Sequence, residues 1–219
     1  MVFQKVLKGI NGLDNAQAQA IVDSGITCNW WRKAGTITPA ERKIHLTMNN
    51  LKLHLNQYHR PVPPSNPLHS LHTGKFGEVS PFISTTAGAV ERDFSTKRNL
   101  VFPPFMTALN FATDNNKSSG YIFYAYLMTV GKVAVEMEQF SEEIRNLYVY
   151  QDYQPYYRQG EIMAKIIIPS VQIEKVEGYN CTDVKLAQRR GILPAPHFTY
   201  TNPAYQAPEK LSNIQEVIS

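Results

Sequence analysis

The chain has 219 residues, 43% of them apolar and 11% aromatic, enough for one substantial core and too few for two independent ones. Two cysteines, Cys28 and Cys181, exclude a disulfide framework, and no apolar run approaches the length of a membrane span. The formal net charge is +4, with the excess before residue 60. There Lys5, Lys8, Arg32, Lys33, Arg42, Lys43, Lys52 and Arg60 face only Asp14, Asp23 and Glu41, a bias that suits an anionic ligand, either a nucleotide or a nucleic acid.

In chain order, Val2 to Lys8 reads as a strand and Gly9 to Gly12 as a turn. Asp14 or Asn15 then caps a small helix closed by Gly25. Trp30 and Trp31 supply two indoles to pack beneath the helices. Thr38-Pro39-Ala40-Glu41 is a capping box with Pro at the first helical position. The spacing of Ile44, Met48, Leu51 and Leu55 predicts one helix from Pro39 to about Tyr58.

Four prolines from Pro61 to Pro67 make an ordered surface loop, and Leu68 to Leu71 is a short strand. Phe82-Ile83-Ser84-Thr85-Thr86 reads as a buried strand whose end presents three hydroxyls. Ala87 to Arg98 is a charged loop, Pro104 to Thr113 a short helix, and Gly120 to Met128 the strongest strand, aromatic on both faces. Val133 to Val135 is a further strand, Ser141 to Ile144 a capped turn, and Tyr148 to Tyr157 a loop displaying tyrosines. Glu161 opens an apolar strand that ends at Pro169, and Val171 to Val176 is another. Residues 189–219 are expected to form an extended tail on a single domain spanning 1–219. Helices early and strands late argue for an α+β fold.

A lone carboxylate at the start of a strand, held by hydroxyl donors, meets the electrostatic requirement of an oxocarbenium-like transition state. Glu161 and the Ser84-Thr85-Thr86 triplet are the residues for it. The six histidines, His45, His54, His59, His69, His72 and His197, form no ligand set, so no metal is expected.

Taken together, these stretches resemble the mono-ADP-ribosyltransferase toxins of the Arg-Ser-Glu class, which include the heat-labile enterotoxins, the Rho-modifying clostridial exoenzymes and the pierisin group. Phe82 to Thr86 is similar to their aromatic-apolar-Ser-Thr-Ser/Thr strand, and Gln159-Gly160-Glu161 to their Gln/Glu-x-Glu motif. The segment before Gln159 is similar to their aromatic recognition loop. The resemblance spans about Phe3 to Val176.

That resemblance implies the ADP-ribosyltransferase fold, with two packed, mostly antiparallel sheets and helices mainly in the N-terminal half. It implies NAD as co-substrate, cleavage of its nicotinamide glycosidic bond, and transfer of ADP-ribose to a macromolecule, protein or nucleic acid. Glu161 would be catalytic, with Ser84 holding it, Thr85 and Thr86 beside the dinucleotide, and Arg92, Lys97 and Arg98 meeting the pyrophosphate. Gln159 in place of Glu points to a non-arginine acceptor, with Tyr156 and Tyr157 at the recognition loop. The family's first-strand arginine is absent: Lys5 is the cation expected there, with Arg32 and His72 as alternatives. An NAD glycohydrolase, or a catalytically silent binding module on the same fold, are the competing readings. A soluble monomer, cytoplasmic or delivered as a toxin or effector, completes the expectation.

Overall fold

The computed structural model describes residues 2–35, 38–87, 89–92, 99–129 and 161–208. Its elements in chain order are β1 (Val2–Asn11), α1 (Asn15–Ser24), β2 (Ile26–Thr27), α2 (Asn29–Ala34), α3 (Pro39–His45), α4 (Met48–Asn56), β3 (Phe82–Thr86), β4 (Ala89–Arg92) and β5 (Asn99–Phe102). They continue with α5 (Pro104–Ala112), β6 (Gly120–Thr129), β7 (Glu161–Lys165), β8 (Ile167–Ile168), β9 (Ile173–Tyr179), α6 (Cys181–Arg189) and β10 (Phe198–Thr201). The architecture is α+β. Six strands form one antiparallel sheet in the order β10-β9-β6-β1-β3-β7, and β2-β8 and β4-β5 form two-stranded ribbons.

Two layers cover the large sheet. Because successive strand residues point to opposite faces, Tyr121 and Phe123 join one core and Ile122 the other. The larger core gathers Ala18 and Val22 of α1 with Trp30, Phe76, Val79, Ile83, Ile162 and Val176. The smaller holds Ala108, Leu109 and Ala112 of α5 with Ile122, Tyr179 and Val184 of α6. A third patch packs Leu51 and Leu55 of α4 on Phe82 and Met163, which brings α4 over the ends of β3 and β7.

Local chemistry explains where these elements begin and end. Asp14 caps α1 through a reciprocal capping box with Gln17, and Glu41 makes the predicted box with Thr38. The long helix predicted from Pro39 to Tyr58 is instead two. Thr47 caps a new start through the Asn50 amide, and the Asn50 side chain takes the His45 carbonyl, so the chain turns between them. Ile44 and Met48 are consequently exposed, leaving Leu51 and Leu55 to carry the apolar face.

Other expectations shift for similar reasons. Leu68 to Leu71 lies in a 3-10 turn whose start is capped by Asn66, with no strand there. β1 runs on through Gly9 and turns only at Gly12, whose φ is +71°. Ala87 to Arg98 is no simple loop, since β4 pairs with β5 as a hairpin arm. The strand from Glu161 breaks at Ile166, a β-branched residue at φ +63°, a backbone region such residues rarely occupy. That break frees Ile168 to pair with Ile26 of β2. Residues of the expected tail form β10, which pairs with β9 and is tied to α1 by the Tyr200 hydroxyl donating to Asp23. The features expected at Val133 to Val135, Ser141 to Ile144 and Tyr148 to Tyr157 lie outside the described residues. No helix among the described residues is long and apolar enough to cross a membrane.

The contact between α5 and β1 leaves no room for a side chain at Gly9, where a Cβ would sit 2.1 Å from the Ala108 carbonyl oxygen and 2.7 Å from the Ala112 nitrogen. Gly9→Ala must push helix from sheet and should cost about 2–3 kcal/mol. At Gly12 nothing lies within 4 Å of the added Cβ, and only the positive φ is paid for. Gly12→Ala should therefore cost nearer about 1 kcal/mol. Urea unfolding of both variants checks the ranking, and equal losses would contradict it.

Candidate active site

Three strands meet where β3 ends. In register, Leu7 of β1 pairs with Thr86 of β3, and Thr86 with Glu161 at the start of β7. The antiparallel pairing thus brings the last hydroxyl of the triplet directly beside a carboxylate 75 residues later in sequence. Further down, Ser84 pairs with Met163, and the Thr85 hydroxyl donates to the Ile162 carbonyl at 2.5 Å, locking β3 to β7. Cys28 N–H to the Ile166 carbonyl and Trp30 N–H to the Ser80 carbonyl pin α2 against the same corner.

Glu161 is 3% exposed. Neither of its oxygens has a hydrogen bond of normal geometry among the described residues. Burial therefore raises its pKa from 4.5 to about 7, with the nearby Ser84 hydroxyl and the Lys8 charge offsetting part of the rise. A buried, unengaged carboxylate is costly to fold around. It is the kind of group that a site keeps for a ligand.

His54 of α4 is 2% exposed and completes the corner. Its Nδ1 lies 2.6 Å from the Ser80 hydroxyl and its Nε2 2.8 Å from the Ser84 hydroxyl. Nε2 also lies 3.9 Å from Glu161 Oε1. Burial, with the Lys8 charge adding to it, lowers the His54 pKa from 6.5 to about 3, so the ring is neutral. The Ser80 oxygen accepts from the Phe82 amide, which leaves its own proton for Nδ1. Nε2–H then donates to Ser84, whose proton is directed toward Glu161. One tautomer thus satisfies Ser80, both ring nitrogens of His54 and Ser84, while the Glu161 oxygens stay without a hydrogen bond of normal geometry among the described residues.

The cation at this corner is Lys8, where the sequence pointed to Lys5. Positions 5 and 8 fall on opposite faces of β1. Lys5 is exposed opposite Tyr126, while Lys8 is drawn into the field of Glu161. Burial lowers the Lys8 pKa from 10.5 to about 8, the Glu161 charge opposing the shift and the Arg32 charge adding to it.

Arg32 is exposed and its guanidinium donates to Asn29 Oδ1, close enough to influence Lys8 and Tyr58. His72 stands elsewhere, 2.7 Å from Glu78 and 3.3 Å from Lys33. Tyr58 packs edge-on against His54, with ring centroids 5.2 Å apart. Its phenol is raised above its ordinary pKa by burial, under the influence of both Arg32 and Glu161. Ser84, Thr85, Thr86 and Glu161 are brought together. Arg98, Lys97, Tyr156, Tyr157 and Gln159 lie outside the described residues, as does the side chain of Arg92.

Lys8, His54, Ser80 and Tyr58 are the members that sequence reasoning missed. The only signals were a lysine set directly before a close-packed glycine and a histidine between Leu53 and Leu55 on an amphipathic helix.

No family model matches the chain, and no curated protein does. Among solved structures it is similar to one named EcPltA, at 13% sequence identity and a TM-score of 0.45, covering 93% of this chain and 88% of that one. A likeness of that size decides neither fold nor function.

The pKa shifts translate into stability. Between 4.5 and about 7 the folded chain keeps a proton on Glu161 that the unfolded chain has lost, so stability falls as pH rises through that window. For His54 the folded chain excludes a proton that the unfolded chain binds between about 3 and 6.5, so stability also falls as pH drops below 6.5. Glu161→Gln should remove the first fall and become more stable than the parent by about 2–3 kcal/mol at pH values above the window. Urea midpoints measured across pH test this, and parallel profiles for parent and variant would contradict it.

Proposed function

We propose that this chain is an NAD-dependent mono-ADP-ribosyltransferase. The observation that carries the reading is Glu161: buried, without a hydrogen bond of normal geometry among the described residues, aligned with the Ser84-Thr85-Thr86 strand end and coupled to the half-buried Lys8. The chemistry of glycosidic cleavage needs a carboxylate of this sort. As the bond between nicotinamide nitrogen and ribose C1′ breaks, nicotinamide leaves with the bonding pair and positive charge develops on the sugar. An ionised Glu161 stabilises that charge and accepts a hydrogen bond from the ribose. The acceptor nucleophile then bonds to C1′ and gives up its proton.

The supporting residues divide the remaining work. Ser84, oriented by neutral His54, holds the carboxylate in place. Lys8 supplies the charge for the pyrophosphate, as a point donor without the guanidinium fork. Arg32 stands near it as a second cation. Gln159 and the Tyr156-Tyr157 pair would receive a non-arginine acceptor, protein or nucleic acid. Water as the acceptor would make the same site a glycohydrolase.

The two titrating groups set a pH range. Glu161 must be ionised, which improves above about 7, and Lys8 must be protonated, which is lost above about 8. Nicotinamide release should therefore peak between those values, and Lys8→Arg should hold the alkaline side up, because arginine does not titrate there.

With NAD labelled in its adenosine half and a cell lysate treated separately with nuclease and protease, the parent should label one macromolecular class and release nicotinamide. Glu161→Gln should lower release by about 10²–10³-fold. Release without label assigns the glycohydrolase reading. No turnover by the parent, or an unchanged rate in Glu161→Gln, would overturn the proposal.

A further inference from the structure

A second feature shares no residue with the Glu161 site. Val184 and Ala187 of α6 are buried, which turns Lys185, Leu186, Arg189 and Arg190 outward on adjoining parts of the helix surface. The helix then ends in a tight C-terminal motif. Gly191 takes φ +67°, its N–H bonds the Gln188 carbonyl at 3.1 Å, and the Ile192 N–H bonds the Ala187 carbonyl at 3.1 Å. In such motifs the residue after the glycine usually folds back on the helix as an apolar contact. Here Ile192 is 58% exposed, and Leu193 beyond it is 72% exposed.

The exposure is held rigidly. Pro194 is buried immediately after the pair, and His197 N–H bonds the Gly178 carbonyl as β10 begins. The Asn116 side chain donates to Gln188 from the other side. Among the described residues no ion pair engages Lys185, Arg189 or Arg190. Asp183 is the only acidic residue of the helix.

The result is a helix end with two large exposed apolar side chains just beyond it and three exposed cations along its last turns. A protein interface of ordinary kind engages about 20–30 residues a side, whereas this tip offers two large apolar side chains with three cations beside them. That arrangement matches a bilayer surface carrying negative headgroups, where guanidinium groups meet phosphate while short apolar side chains reach the acyl boundary. We propose that the α6 tip, from Lys185 to Leu193, docks the protein onto an anionic phospholipid surface.

Sedimentation with phosphatidylcholine vesicles, with and without about a third phosphatidylserine, tests this. The parent should partition onto the anionic vesicles only, and less as salt rises. The double variant Arg189→Glu with Arg190→Glu should lower partitioning by at least about tenfold. Ile192→Ser with Leu193→Ser should lower it as well, with circular dichroism unchanged because these side chains are exposed. Equal partitioning onto neutral and anionic vesicles, no partitioning at all, or indifference to either double variant would overturn the proposal. So would concentration-dependent dimerisation abolished by Leu193→Ser, which would give the tip to a second copy of the chain.

Discussion

The burial of one carboxylate governs this structure. Glu161 sits where β7 begins, against the end of β3, and no ordinary hydrogen bond among the described residues satisfies it. An ionised group so placed costs several kcal/mol unless something pairs with it. The surroundings can be read as answers to that cost. Lys8 brings a positive charge, Ser84 brings a proton, and His54 stays neutral so that no proton competes. Lys8 and His54 are themselves shifted from their ordinary pKa values, so the cost is shared across β1, β7 and α4.

The rest of the fold serves that corner. α4 must lie over β3 for His54 to reach both Ser80 and Ser84, and Leu51 and Leu55 secure it there against Phe82 and Met163. The break at Thr47 lets α4 take its own direction, independent of α3. On the other side Gly9 lets α5 close on β1 just beyond Lys8. The kink at Ile166 sends the chain away from the large sheet immediately after β7, toward β2 beside α2.

Elements whose own residues carry the signal were readable before any coordinates. The hydroxyl-ended strand Phe82 to Thr86, the aromatic strand from Gly120, and the capped helices at Asp14 and Thr38 all follow local rules, and they form where the residues indicate. What depends on pairing between distant strands was not readable. Whether Lys5 or Lys8 joins Glu161 is decided by which face of β1 turns inward, and an error of one position reverses it. His54 meets serines 26 and 30 residues away, and nothing in Leu53-His54-Leu55 announces them. α6 escaped notice because only Val184 and Ala187 are buried along it. The tail read as extended because its prolines masked the alternation of Phe198 and Tyr200 that makes β10.

The account stands or falls on the state of Glu161. A carbon-detected NMR titration of its side-chain carboxyl, assigned by loss of the signal in Glu161→Gln, measures that state directly. The account predicts a midpoint near the value of about 7 set by burial. It also predicts that Lys8→Met moves the midpoint higher, since a neighbouring positive charge is removed. A midpoint at the ordinary carboxylate value, unmoved by Lys8→Met, would contradict it.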